Sequence, residues 1–147
     1  MLSQDEIREN YRWCEEIKHE LPFGPWIHEH HDVSFNYRDY DCLLIRSPFT
    51  FAWKAVTCLK PKTLFYGVEL RDLKKLLSID LNVSVKKKKE HWIGFEFSRL
   101  YQLKPAFYRT AYDKSFKDDT YFSEDQSSEL IKNLIDQVIE RQKYANG

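Results

Sequence analysis

No apolar run in the sequence approaches the roughly 18 residues that cross a bilayer, and the first residues, Met1-Leu2-Ser3-Gln4-Asp5, lack the basic and apolar regions of a secretory leader. Neither a membrane span nor a targeting segment is expected, and the chain is placed in the cytoplasm. Net charge is lacking too. Lys and Arg number 23 and Asp and Glu 23, so the whole-molecule field is weak and generic nucleic-acid binding is not expected. Three cysteines, Cys14, Cys42 and Cys58, form no Cys-x-x-Cys pair, which argues against a disulfide framework and for reduced thiols. Glycine is scarce, at four residues, and no dinucleotide-binding glycine motif, P-loop, zinc-protease helix or serine-hydrolase elbow occurs. No cofactor is expected and no catalytic residue is assigned.

Aromatic rings are abundant instead: four Trp, nine Tyr and ten Phe make up 16% of the chain. With 147 residues the length is that of one domain, and no repeat, linker or second core interrupts it, so 1–147 is read as a single domain. Ser3-Gln4-Asp5-Glu6 has the form of a capping box, and Ile7, Tyr11, Cys14, Ile17 and Leu21 follow at helical spacing up to Pro22 and Gly24-Pro25. A second capping box, Ser123 to Gln126, opens a helix whose apolar stripe runs from Leu130 to Ile139.

Between these helices the period changes. Val33, Phe35 and Tyr37 alternate with polar residues, Arg38 to Asp41 supplies a turn, and Cys42 to Ile45 is apolar, which predicts a hairpin. Phe51 to Leu59 predicts a third strand with Trp53, Ala55, Thr57 and Leu59 on one face. A short helix is predicted over Glu69 to Leu77, then strands at Leu81 to Val85 and His91 to Phe97 around a four-lysine turn, Lys86 to Lys89. Arg99 to Asp119 predicts irregular structure. The fold class is α+β: an antiparallel sheet of about five strands flanked by N- and C-terminal amphipathic helices, in two layers.

Gly24-Pro25-Trp26, Asp32 and the strand Asp41-Cys42-Leu43-Leu44-Ile45-Arg46 carry a resemblance, joined by Leu64-Phe65-Tyr66-Gly67, His91-Trp92-Ile93-Gly94-Phe95-Glu96 and Asp119-Thr120-Tyr121. In this order, over about three quarters of the chain, the sequence resembles a family of small uncharacterised proteins, most of them phage or prophage encoded. The resemblance implies a phage origin and a host-cell cytoplasmic setting, and supplies no reaction. Such relatives tend to carry a Val-His-Gly-Gly-x-Thr strand and a Cys-x-His segment. Here Leu81 to Val85 and Phe97-Ser98-Arg99 stand in their places, so chemistry resting on those histidines is not expected.

Two sets of residues could carry function. His28, His30 and His31, with Glu29 and Asp32, combine imidazoles and carboxylates. A solvated loop is the first reading; a cation site, with His28 and His30 on one side of an extended segment, or acid–base work by His28 or His31, are the alternatives. The second set is basic and aromatic: Trp26, Arg46, Trp53, Lys54, Tyr66, Trp92, Arg99, Tyr101 and Arg109, with Tyr37, Tyr40 and Tyr108 beside them. Rings stack on bases and guanidinium forks match phosphates, so these types suit a nucleotide-like ligand or a protein interface, while the tryptophans also suit a core. Arg46 and Lys54 interrupt apolar strands, and a charge facing the covered side of a sheet needs a partner or a ligand.

Together these features point to a non-enzymatic phage accessory protein that sequesters a small nucleotide-like ligand and so counters host defence. A pocket of that kind can be built within one chain or between protomers of a homo-oligomer. The alternatives are an inhibitor that binds a host protein, and a small hydrolase or nuclease using His28, Glu29, His31 and Asp32.

Overall fold

The computed structural model describes residues 3–21, 23–47, 50–98, 102, 104–108 and 121–146. Five strands form one antiparallel sheet: β1 (Asp32–Tyr37), β2 (Tyr40–Arg46), β3 (Trp53–Leu59), β4 (Val83–Lys87) and β5 (Glu90–Glu96), in the order β1-β2-β3-β5-β4. Helices α1 (Gln4–Lys18) and α3 (Glu124–Asn146) lie at the two ends of the chain, with α2 (Leu70–Leu77) between β3 and β4. Both capping boxes form. Ser3 Oγ accepts from Glu6 N at 3.1 Å, and Ser123 Oγ accepts from Gln126 N at 3.2 Å while Gln126 Oε1 accepts from Ser123 N. Among the described residues no helix is long and apolar enough to cross a membrane.

Alternation along the strands separates two apolar clusters. Cys42, Leu44, Trp53, Ala55, Leu59, Ile93 and Phe97 face α3, through Ile131, Leu134, Ile135 and Val138, and α2, through Leu73 and Leu77. On the opposite face Leu43, Ile45, Val56, Val83 and Trp92 pack with Ile7 of α1. Helix α1 continues past the end of the sheet, where Cys14 and Ile17 meet Trp26 and Phe51. The sheet thus carries α2 and α3 on one face and meets the start of α1, through Ile7, on the other, the α+β arrangement with flanking terminal helices that the sequence predicts.

The first hairpin is tighter than the four-residue turn read from sequence. Tyr37 pairs with Tyr40, leaving Arg38 and Asp39 as a two-residue turn with both φ positive, at 50° and 70°. That is the backbone a two-residue hairpin turn demands, and Asn36 Oδ1 steadies it by accepting from Asp39 N at 3.2 Å. Most of 99–119 lies outside the described residues. Within it, Pro105–Tyr108 forms a 3-10 turn whose Ala106 N donates to Thr50 O at 2.9 Å.

Candidate functional site

The last residue of β2, Arg46, points to the α3 side of the sheet and is only 1% exposed. A buried guanidinium needs hydrogen bonds on its nitrogens and a counter-charge, or it costs several kcal/mol. Both come from within the chain for the two terminal nitrogens, while Nε is buried without a hydrogen-bond partner among the described residues. Nη2 donates to Glu29 Oε1 at 3.0 Å, and Nη1 donates to Tyr121 Oη at 2.7 Å and to Phe51 O at 3.1 Å. Its plane lies over the Trp53 ring, 3.8 Å from the centroid, and 4.7 Å from that of Phe51. Phe51 itself has φ 61°, a conformation rare for an aromatic residue, and its carbonyl is turned to the guanidinium.

Glu29 is the hub. Its Oε1 also accepts from Trp53 Nε1 at 3.3 Å and from the Tyr121 hydroxyl, and its Oε2 accepts from Glu124 N at 2.7 Å. Glu124 is the first residue of α3, so Glu29 places a negative charge against a free amide and the positive end of the helix dipole. The Tyr121 hydroxyl donates to Glu29 while accepting from Arg46, and burial foremost holds it protonated, well above the usual tyrosine range. Trp26 closes the site with its edge to Tyr121, ring centroids 5.1 Å apart. The Trp26 ring lies over Gly24: a Cβ there would sit 2.3 Å from it. The Gly-Pro-Trp segment, Arg46 and the Tyr before α3, far apart in sequence, therefore meet around one carboxylate.

The two candidate sets separate accordingly. Arg46 and Trp53 bond Glu29, and Trp26 joins them through Tyr121, all three buried. The structure does not bring the others to them. Lys54 lies on the opposite face, across from Ile45 and Glu96 in register. Trp92 is on that face too. Tyr66 sits at the far end of the sheet, its hydroxyl donating to Lys89 O at 2.6 Å. Tyr37 donates to Asp136 and Tyr40 to Gln142, both on α3. Arg99, Tyr101 and Arg109 lie outside the described residues.

His28 ends a 3-10 turn, Pro25–His28, so the alternation of an extended segment does not apply to it. His30 binds Glu124, Nδ1 to Oε1 2.9 Å, and buried His31 binds Glu15, Nε2 to Oε1 2.7 Å. Among the described residues no three His, Cys, Asp or Glu side chains converge as a metal ion would require. The buried thiol of Cys14 is pushed up to about 12 by desolvation, and burial raises Cys42 as well.

An open groove of about 530 Å³ runs along α3. Its floor is Leu77, Ile79, Phe95, Leu130 and Leu134. Asn133, Gln137 and Arg141 rise from the α3 wall, exposed and without hydrogen bond or ion pair among the described residues. Ser78, which ends α2 in the left-handed region with φ 54°, stands on the other wall. Asp136 also lines the groove, its charge held by Arg38 at 2.8 Å. Phe95 begins a row of nearly parallel rings, 6.1 Å to Phe97 and from there 4.7 Å to Phe122. No sequence motif marks these residues as a groove. Comparison with known proteins returns no match, whether to family models, curated proteins or solved structures.

Proposed function

We propose that the protein is a non-enzymatic binder that sequesters a small nucleotide-like ligand in the groove along α3 and so counters host defence, in the phage setting that the resemblance implies. The observation that carries the reading is the groove's composition: an aromatic and aliphatic floor, the Arg38-bound Asp136, and two amides and one guanidinium unpaired among the described residues. A planar base suits the Phe95 end, amides suit the edges of a base or the hydroxyls of a sugar, and a guanidinium fork suits phosphate. On a rise of 1.5 Å per residue, Asn133 and Arg141 are about 12 Å apart along the helix, a span that fits an extended nucleotide.

The non-enzymatic part rests on how the reactive groups are held. Glu29 is bound to Arg46, His30 and His31 are bound to carboxylates, and the Cys14 and Cys42 thiols are kept protonated by burial. Thermal-shift screening against nucleotides, cyclic nucleotides, ADP-ribose derivatives and divalent metals tests the reading, since a ligand bound only by the native state stabilises it by mass action. A nucleotide-class compound is expected to raise the melting temperature; a screen in which none does contradicts it.

A further inference from the structure

The four-lysine turn is not isolated in the fold. Leu59, at the end of β3, pairs with His91 at the start of β5, and Lys87, at the end of β4, pairs with Glu90. The turn after β3, with Lys60 and Lys62, and the β4–β5 hairpin therefore leave the same end of the sheet, two strand spacings or about 10 Å apart. They are also joined: Tyr66 Oη donates to Lys89 O at 2.6 Å, and Gly67 N donates to His91 Nδ1 at 3.0 Å. Lys86 is spent on Glu69 at 2.7 Å, and Lys60 rests on the Tyr40 ring, 4.6 Å from its centroid. Lys62, Lys87, Lys88 and Lys89 are exposed and unpaired among the described residues.

We propose that this end of the sheet is a docking surface for the phosphate backbone of double-stranded nucleic acid. The chain is neutral as a whole, so the cluster is a local excess of positive charge that sequence totals conceal. A duplex carries one charge per about 1.7 Å of axis with both strands counted, so a patch about 10 Å wide spans a stretch that bears about six phosphates. Lysines act as point charges on phosphate and read no sequence. The neighbouring rings are engaged, Tyr40 under Lys60 and Tyr66 on Lys89 O, which leaves backbone contact rather than base stacking. Lysines also guard exposed edge strands, and β4 is one. That role explains Lys87 but not Lys62, which belongs to another element. This surface is independent of the α3 groove.

The test is fluorescence anisotropy with a short random-sequence duplex as salt rises from about 50 to about 200 mM. Four free lysines predict a slope of log affinity against log salt of about −3.6. Lys62→Gln is expected to make the slope shallower by about one, and Lys87→Gln/Lys88→Gln/Lys89→Gln by about three, while Arg12→Gln on α1 leaves it unchanged. No binding at the lowest salt overturns the proposal. So does a slope indifferent to Lys62→Gln, or tighter binding of a polyglutamate of equal charge, which would assign the surface to an acidic protein.

Discussion

Glu29 and Arg46 meet at 3.0 Å with the guanidinium fully covered, and around that contact the first 3-10 turn, the end of β2, the start of β3 and the first residue of α3 are tied together. A charge buried with its partner is tolerated; the same charge alone is not.

Removing either partner is therefore expected to be severe. Arg46→Met and Glu29→Met should each destabilise the fold by about 3–5 kcal/mol in urea unfolding. The double variant, with neither charge left behind, should be more stable than the sum of the two losses by at least about 1 kcal/mol. Additive losses below about 1 kcal/mol each would contradict a buried, coupled pair.

Gly24 is predicted to be intolerant of a side chain. The Cβ of Gly24→Ala would overlap the Trp26 ring, and overpacking of this kind costs about 1–3 kcal/mol. A denaturation midpoint indistinguishable from that of the parent would show that Trp26 can move aside.

His91 predicts a loss of stability in mild acid. Gly67 N–H donates to Nδ1, so the proton of the neutral ring is on Nε2, donating to Ser84 Oγ at 2.8 Å, and a second proton would set donor against donor. Burial foremost lowers the His91 pKa, with Lys86 adding to it and Glu69 opposing. The unfolded chain takes up its proton near the ordinary value of 6.5 while the folded state resists. The stability contributed is thus complete above about pH 6.5 and is lost as pH falls through the lowered folded value. Unfolding midpoints measured across this range should fall less steeply in His91→Gln than in the parent; equal slopes would contradict the assignment.

Thiol chemistry gives a further check. Cys14 and Cys42 are buried with raised pKa values, so alkylation of the native protein at about pH 8 should spare both, and unfolding in denaturant should release them. Prompt labelling of Cys14 in the native state would show that α1 opens.

Much of the fold was legible because local signals stood alone. Ser3 with Glu6 and Ser123 with Gln126 announced the two long helices, and alternation of Trp53, Ala55, Thr57 and Leu59 against Lys54, Val56 and Cys58 set the two faces of β3. Arg46 declared from its apolar strand that it needed a partner, but nothing local named Glu29, which follows the 3-10 turn Pro25–His28 as its C-cap. The groove was invisible for a related reason. On the polar side of an amphipathic helix Asn133, Gln137 and Arg141 look like solvated residues until the loop after α2 is seen to face them. Lys62 gave no hint of Lys87 to Lys89 because only strand order brings their loops together.

The most direct measurement is calorimetric titration of the nucleotide that gives the largest thermal shift into the parent protein, Arg141→Gln and Arg12→Gln. If the α3 groove is the binding site, Arg141→Gln should weaken affinity by about tenfold or more through loss of a charge-assisted contact, with Arg12→Gln unchanged. Equal affinity in all three would place the ligand elsewhere and contradict the groove as the seat of function.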